Sequence, residues 1–469
     1  MKRCVVRKMM PHGSKWPQRL AACLAALVAL CNGSLEGWTS PALPHLQTPR
    51  NDTEGIISDD EASWIGSLAP LGALFGALPS GYLAGRFGRR FLLLLLTVPL
   101  SLGWITIILA GQSLALLYTA RFILGLTMGA TTVITPIYNE EIAEINLRGE
   151  LGTYMDLSIT IGILYMYAVG AFVPYIWLCI LAAIIPVLFG ITFFWMPESP
   201  VYLLSKGRKI EAEKSLCWLR NVDIYNTHQV LEELNGIQKS LEIVLPSESV
   251  PKSSLFRILE VVFGLMIFQQ LSGINAVIFY TVDIFKASKS TLSPYLSTLI
   301  IGIVQVLATY IAALFMDHIG RRVLLILSDI FMAVCHLALA MYFYFSAQGS
   351  DLSSWSWVPL VALNVFIIAY SVGFGPIPWF MMVELSTNEA KGLVSALAVS
   401  LNWTLVFIVT KVFTLMLSKL GPAETYGALC VICVAGCVFV TFCVPETRGK
   451  TKEEIQNVLQ KSHNVQQAT

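Results

Sequence analysis

The stretch GRFGRR, residues 85–90, lies between two apolar blocks at 62–84 and 91–110. Each block is long enough for a helix to cross about 30 Å of hydrocarbon. Three arginines in six residues are too costly to place in the bilayer, so this stretch must form a short loop at a membrane surface. Loops rich in Lys and Arg stay on the cytoplasmic side. The stretch therefore predicts two antiparallel membrane helices joined on the inside.

A second stretch, DHIGRR at 317–322, stands between apolar blocks in the same way. Two more pairs of segments follow in register: EEIAEINLRG at 140–149 with VELSTNEAKG at 383–392, and PESP at 197–200 with PETRG at 445–449. The members of each pair are about 230–250 residues apart. Three pairs in one order indicate duplication of a six-helix unit, which is the plan of major facilitator transporters.

The composition agrees with a membrane protein. Of the 469 residues, 55% are hydrophobic and 13% charged, against about 25% charged in soluble domains. The net charge of +1 gives no argument for a nucleic-acid partner. We predict an all-α membrane protein of twelve transmembrane helices in two six-helix halves. The predicted spans are 20–43, 62–84, 91–110, 114–137, 150–173, 176–196, 257–285, 293–316, 323–345, 357–383, 392–417 and 424–444.

The basic residues predict the orientation. Of 31 Lys and Arg residues, 25 fall in segments that are inside if the N-terminus is inside, counting Arg257 at the inner edge of the seventh span, and four fall outside. The first block follows six basic residues and could be read as a signal peptide, but no clear cleavage site follows it, which favours a retained helix. We therefore expect both termini to be cytoplasmic and the protein to lie in the plasma membrane, with the lipid bilayer as its surroundings.

The polar stretch 197–256 separates the two halves. Apolar residues recur in it at helical spacing, which predicts short amphipathic helices against the inner membrane face. The predicted organisation is a cytoplasmic tail at 1–19, a first half at 20–196, a cytoplasmic helical linker at 197–256, a second half at 257–444 and a cytoplasmic tail at 445–469.

Acidic and basic residues recur at matched inner positions of the two halves. Glu141 and Arg148 are seven residues apart, as are Glu384 and Lys391, which is about 10 Å along a helix and too far to pair directly. We expect them to pair across helices and to act as an inner gate, rather than as plain topology signals. The predicted gate comprises Arg86, Arg89, Arg90, Glu141, Arg148, Asp317, Arg321, Arg322, Glu384 and Lys391.

The uncharged segment FGLMIFQQLSGINAVIFYTV, residues 263–282, carries hydrogen-bonding side chains at its centre. Polar groups in hydrocarbon are costly unless they are paired or face water. A straight helix cannot aim Gln269, Gln270 and Asn275 at one point, whereas a helix broken near Gly273 can. The alternative is that these amides only bond neighbouring helices.

Seven motifs in this order resemble the sugar porter family of major facilitators: GRFGRR, YNEEIAEINLRG, PESPVYLL, QQLSGINAVIFY, GFGPIPW, the NW pair at 402–403 and PETRGKT. The tyrosine of PESPVYLL and the segment GWTSPALP further resemble insect facilitated trehalose transporters. The resemblance implies a central cavity, alternating access and a small-molecule sugar as substrate, without a cofactor or catalysis.

The resemblance also implies site residues, at positions that match the family's motifs. Sugar-binding positions correspond to Gln269, Gln270, Asn275, Gln305, Trp379 and Asn402. Three positions depart from the hexose carriers, because Asp156 replaces a glutamine, Ser371 a glutamate and Val406 an asparagine. We include Asp156 among the expected substrate-binding residues. The departures leave the choice between trehalose and a hexose open.

Two acids bear on coupling. Proton-coupled relatives carry an aspartate three residues after Glu36, where this chain has Thr39, and that difference favours facilitated diffusion. Glu36 and Asp156 lie inside predicted spans, where ionisable groups are usually functional. A proton-coupled symporter that uses either acid is therefore the alternative, and a sugar receptor without transport is a second one.

The remaining residue types add little. The ten cysteines predict neither a disulfide framework nor a metal site, and the histidines show no metal-ligand spacing. Asn51 begins an N-x-Thr sequon in a loop predicted to be outside, so we expect it to be glycosylated. The oligomeric state is left open.

Overall fold

The computed structural model describes residues 15–47, 57–111, 113–222, 228–242, 252–288, 292–386 and 391–448, and these residues form helices joined by short connections. Asn51 lies outside the described residues, as do the side chains of Asp317 and Lys391. The first half and the linker contain α1 (Trp16–Leu46), α2 (Asp59–Phe87), α3 (Arg89–Ala110), α4 (Leu114–Ile142), α5 (Arg148–Phe172), α6 (Tyr175–Phe193), α7 (Pro200–Ser205), α8 (Lys209–Arg220) and α9 (His228–Glu242).

The second half contains eight helices because two of its spans are broken. They are α10 (Lys252–Leu271), α11 (Ile274–Ala287), α12 (Pro294–Ile319), α13 (Arg321–Ala347), α14 (Val358–Val372), α15 (Ile377–Leu385), α16 (Lys391–Lys419) and α17 (Pro422–Cys443). Helices α10 and α11 together form the seventh span, and α14 and α15 form the tenth. The described residues contain twelve segments long and apolar enough to cross a membrane, which confirms the predicted fold class.

Helices pack closely where glycines replace side chains. In α2, a Cβ added at Gly76 would lie 1.9 Å from the carbonyl oxygen of Leu126, and in α4 a Cβ at Gly129 would lie 1.9 Å from that of Ala73. In α1, a Cβ at Gly33 would lie 1.9 Å from the carbonyl oxygen of Ile159 in α5. Because lipid gives apolar side chains no reason to associate, such backbone-to-backbone contact is how membrane helices gain attraction.

The duplicated loops have the same structure in both halves. Gly88 and Gly320 adopt φ values of 105° and 103°, a region that favours glycine, and each begins the next membrane helix. The carboxylate of Glu198 accepts hydrogen bonds from the backbone N–H groups of Arg89 and Arg90. The three sequence pairs are thus one structural unit used twice.

Glu446 repeats this arrangement in the second half. It accepts from the backbone N–H groups of Arg321 and Arg322, each at 3.1 Å. Burial raises the pKa of Glu446, but hydrogen bonds from four backbone N–H groups outweigh burial and hold this pKa below its usual value. A carboxylate at a helix N-terminus also interacts favourably with the helix dipole.

Among the described residues, the most extensive contacts between the two halves are made by three helix pairs: α2 with α16, α5 with α12, and α1 with α11. Duplication relates the second span to the eighth and the fifth to the eleventh. The α2–α16 and α5–α12 contacts are therefore equivalent under the repeat, and the interface is symmetric in its helices. We call the end of the molecule that carries Gly88 and Gly320 the inner end, and the opposite end the outer end.

We expect Gly76→Ala to destabilise the protein. The new methyl group meets the backbone of α4, and overpacking costs about 1–3 kcal/mol. Gly81→Ala is the matched control, because Gly81 lies in the same helix with no atom within 4 Å of an added Cβ. The measurement is the melting temperature of the purified protein in detergent. Equal melting temperatures for the two variants would contradict this account of the helix contact.

Candidate functional site: an amide network at two broken helices

The seventh span breaks where the sequence predicted. Helix α10 ends at Leu271 and α11 begins at Ile274, with Gly273 at φ 85°. A ring nitrogen of His336 lies 2.9 Å from the carbonyl oxygen of Ser272, within hydrogen-bonding distance. The break turns the polar side chains on its two sides toward one another.

Four amides form a continuous network around this break. The Nε2 group of Gln269 donates to the backbone carbonyls of Phe374 at 2.7 Å and Gly375 at 3.0 Å. Its Oε1 accepts from Asn402 Nδ2 at 2.9 Å and from Gln270 Nε2 at 3.3 Å. Gln270 Oε1 in turn accepts from the Nδ2 group of Asn275 at 2.5 Å.

The direction of every bond in this network follows from its first one. Backbone carbonyls only accept, so Gln269 must present its nitrogen to them and its oxygen to Gln270 and Asn402. Gln269 is 1% exposed, and its two N–H groups and its oxygen are all used within the protein. Half-buried Asn275 uses only one N–H in the network, so its oxygen and its second N–H have no partner among the described residues. Gln269 therefore positions the site, while Asn275 and Gln270 can bind a ligand.

The tenth span contains a second break, which sequence reasoning missed. Helix α14 ends at Val372 and α15 begins at Ile377. Ser328 on α13 donates its hydroxyl to the carbonyl of Ala369 at 2.8 Å and accepts from the N–H of Phe374 at 3.4 Å. Two glycines and a proline, GFGP at 373–376, were the available signal, because they interrupt a predicted span.

The other predicted substrate residues of the second half lie on three further helices. Asn402 on α16 is 3% exposed and belongs to the network, whereas Gln305 on α12 is 4% exposed and its Oε1 has no partner among the described residues. Trp379 is half-buried and lies in the first turn of α15, directly after the second break. Trp403, beside Asn402, has a buried indole N–H without a partner in the described chain.

The first half contributes carboxylates in place of amides. Glu36 on α1 and Asp156 on α5 are half-buried, and neither makes a hydrogen bond or an ion pair with a described residue. Both interact electrostatically with Tyr370, which lies on α14 of the other half. The two acids and Tyr370 therefore face the space between the halves. Sequence reasoning missed Tyr370.

Arg121 on α4 is the buried cation of the first half. It donates to the carbonyls of Ile65 and Leu35 at 2.8 and 3.0 Å and to the hydroxyl of Thr39 at 3.0 Å. Its guanidinium lies 5.2 Å from the ring centroid of Trp38. Thr39, the residue singled out by the sequence comparison with proton-coupled carriers, thus lies beside this arginine.

Backbone groups join the halves at the outer end. The hydroxyl of Tyr167 on α5 donates to the carbonyl of Ile278 at 2.7 Å, and the N–H of Val282 donates to Ser40 on α1 at 3.0 Å. Tyr280 between them has φ −121° and interrupts the helix, which frees these two backbone groups. Helix α11 therefore completes its own hydrogen bonding only with the other half.

Lys411 on α16 adds an ion pair at the same end. Its Nζ lies 2.6 Å from Asp60 Oδ1 and 2.7 Å from the hydroxyl of Ser63 on α2, and 4.4 Å from the centroid of Trp64. Every hydrogen bond that described residues of one half make with those of the other lies at this outer end. The halves are therefore joined at the outer end in this conformation.

The predicted inner gate residues pair within each half. Arg89 contacts Glu141 at 2.8 Å, and Arg321 contacts Glu384 at 3.3 Å. Arg90 and Arg322 donate to the carbonyls of Phe194 and Thr441. Arg86 and Arg148 are exposed. These contacts cross helices as expected, but none of them joins the halves, so a latch between the halves stays a prediction.

Two halves of six helices, with a polar network at two broken helices of the second half, define the architecture of a major facilitator transporter. The chain belongs to the Sugar (and other) transporter family, whose sequence profile matches residues 25–459. Among solved structures, the xylose transporter XylE from E. coli, partially occluded and inward open, has a TM-score of 0.78. It is 23% identical, over 92% of this chain and 99% of XylE, and this likeness shows the fold.

Curated relatives are more similar in sequence. The facilitated trehalose transporter Tret1 of Drosophila grimshawi is 38% identical over 94% of this chain and 48% of its own length. Tret1 of Aedes aegypti is 36% identical over 94% of this chain and 55% of its own length. Tret1 of Apis mellifera ligustica is 38% identical over 94% of this chain and 87% of its own length. The chain thus spans about half the length of the first two.

We expect Tyr167→Phe to loosen the outer closure. The ring is kept, but the carbonyl of Ile278 loses its donor, and a buried unpaired group costs about 1–3 kcal/mol. The outward-open population is expected to rise roughly five- to a hundredfold. The measurement is the rate at which an impermeant thiol reagent, added outside, modifies a cysteine at Phe407, which packs against Trp64.

Tyr165→Phe is the control for this experiment. It removes a tyrosine hydroxyl that bonds Leu181 within the same half, so it is expected to leave the labelling rate unchanged. An unchanged rate in Tyr167→Phe, or an equal increase in both variants, would contradict the assignment of the outer closure.

We expect Gln269→Ala and Asn275→Ala to have different effects. Gln269→Ala leaves two buried carbonyls unpaired and is expected to lower the melting temperature. Asn275→Ala is expected to leave stability nearly unchanged and to weaken the apparent affinity for sugar by about three- to a hundredfold. The measurements are thermal melting and concentration-dependent uptake. Equal loss of stability in both variants would remove the distinction between a positioning and a ligand-binding amide.

Proposed function

We propose that this protein is a facilitative sugar carrier that works by alternating access, with trehalose as the leading substrate and a hexose as the second candidate. The observation that carries the proposal is the amide network at the broken seventh span. Amides offer donors and acceptors without charge, which suits the hydroxyl groups of a neutral sugar. The indole of Trp379 adds an apolar surface of the kind that packs on the C–H face of a pyranose.

The outer contacts support alternating access. Among the described residues, few polar contacts join the halves and all of them lie at the outer end, so separation of that end breaks a small number of these hydrogen bonds and the ion pair of Lys411 with Asp60. A sugar held between the halves contributes contacts to both of them and favours the states in which they close around it. The relatives named trehalose transporters support the leading substrate.

We further propose that the carrier lies in the plasma membrane with both termini in the cytoplasm, as the distribution of Lys and Arg indicates. The expectation of no catalysis rests on the same comparison, since the similar proteins are transporters. The described residues also contain no group of three His, Cys, Asp or Glu side chains suited to hold a metal ion.

The proposal is tested by uptake into vesicles that contain the purified protein. Labelled trehalose and glucose are expected to enter until the inside and outside concentrations are equal. An acid-outside gradient is expected to drive no accumulation, because Thr39 beside Arg121 offers no carboxylate for a coupling proton. Vesicles without protein and the Asn275→Ala variant are the controls.

Accumulation above the external concentration, abolished by Glu36→Gln or Asp156→Asn, would replace this mechanism with proton symport. Saturable binding of sugar without uptake would favour the receptor alternative. Absence of both binding and uptake for every mono- and disaccharide tried would refute sugar transport itself.

A further inference from the structure

Asp156 is an uncompensated acid in the wall of the cavity. It makes no hydrogen bond or ion pair with a described residue, and it is half-buried on a membrane helix. Glu36 differs, because Arg121 lies close enough to interact with it electrostatically. Arg121 directs its hydrogen bonds to Leu35 and Thr39 on α1 and to Ile65 on α2, so this cation is not available to Asp156. A carboxylate in this setting calls for a cation or for several hydrogen-bond donors.

A second unpartnered group faces the same region. Gln305 on α12 is 4% exposed, and its Oε1 has no partner among the described residues. It is three residues from Gly302, which packs on Tyr167, so Gln305 shares the face of α12 that meets α5. Asp156 is eleven residues, about three turns, from Tyr167 and shares the corresponding face of α5. At 1.5 Å per residue, Asp156 lies about 16 Å inward of this contact and Gln305 about 5 Å, so the two acceptors can contact different groups of one ligand.

The separation of the acids fits one sugar ring. Gly33 and Gly37 on α1 pack on Ile159 and Ile163 on α5, which puts Glu36 roughly 10 Å further outward than Asp156 along the helices. Two carboxylates at that distance cannot share one proton or one metal ion. They can each reach one end of a ligand the size of a hexose.

We propose that Asp156 binds the protonated amine of an amino sugar, while the Gln305 oxygen accepts from a hydroxyl group of the same sugar, so that the carrier prefers an amino sugar to its neutral counterpart. An ammonium group supplies three donors and the missing positive charge. The amides of Asn275 and Gln270 bind the hydroxyls of the same ring from the second half. This inference rests on the proposed function, because it assigns the substrate class of the same cavity.

The test compares uptake of glucosamine, glucose and 2-deoxyglucose by the full-length protein in vesicles at about pH 6, where an aliphatic amine is protonated. The wild-type protein is expected to show a lower KM for glucosamine than for either neutral sugar. Asp156→Asn is expected to raise the KM for glucosamine about ten- to a hundredfold, the effect of losing a hydrogen bond to a charged group, and to change the KM for glucose less than about threefold.

Two control variants separate charge from fold. Asp156→Glu keeps the carboxylate and is expected to keep the preference for glucosamine. Asp329→Asn makes the same substitution at an acid of α13 in the other half, which is 1% exposed and packs against Gly436 of α17. It is expected to leave the ratio of the two KM values unchanged.

Three results would overturn the inference: equal KM values for glucosamine and glucose in the wild-type protein, a parallel rise of both KM values in Asp156→Asn, or the same change of ratio in Asp329→Asn. The wild-type comparison needs no variant, so it decides the matter even if Asp156→Asn does not fold. Glucose uptake without selectivity sinks this inference alone, whereas absence of uptake for every sugar sinks the proposed function.

Discussion

The structure depends on the bond from one amide to two backbone carbonyls. A carbonyl without a partner in hydrocarbon costs several kcal/mol, so a membrane helix can break only where another group supplies the missing hydrogen bond. Gln269, near the break of the seventh span, supplies it to Phe374 and Gly375 at the break of the tenth. His336 lies within hydrogen-bonding distance of the carbonyl of Ser272 in the seventh span. Each irregular segment therefore exists because its neighbours hold it, and together they make room for a polar site.

The same rule governs how the halves meet. Within a half, glycine contacts and partly buried ion pairs join the helices, as between Arg89 and Glu141. Between the halves, the described polar contacts gather at the outer end, where α11 borrows a donor from Tyr167 and an acceptor from Ser40. Two halves that are tightly packed inside and share few described polar contacts, gathered at one end, can rotate against each other as units. This distribution of contacts is what alternating access requires.

The two halves share the structure of their inner loops but differ in the polar residues within their membrane helices. Glu198 and Glu446 perform the same backbone capping in the two halves, and Gly88 and Gly320 share a conformation. The polar groups within the membrane helices are not symmetric, because the second half carries the amide network while the first carries the carboxylates of Glu36 and Asp156. Backbone capping constrains the residues at the inner loops, whereas Glu36 and Asp156 make no hydrogen bond or ion pair with a described residue. The two halves can therefore differ there without loss of the fold.

The sequence by itself determined the spans, their duplication and the break at Gly273. Hydrophobic length, clustered arginines and a glycine among polar residues are local signals, and each depends on a short run of the chain. The tertiary structure alone decided that every polar atom of the Gln269 amide is bonded while Asn275 keeps its oxygen and one N–H without a partner among the described residues, and that Arg89 and Arg321 bond within their own halves. Gln269 meets Gly375 and Asn402 across 106 and 133 residues, and a hydrogen bond forms only between atoms about 3 Å apart. No local pattern specifies which of several amides reaches that distance, so the division of roles among similar side chains arises only when the helices are packed.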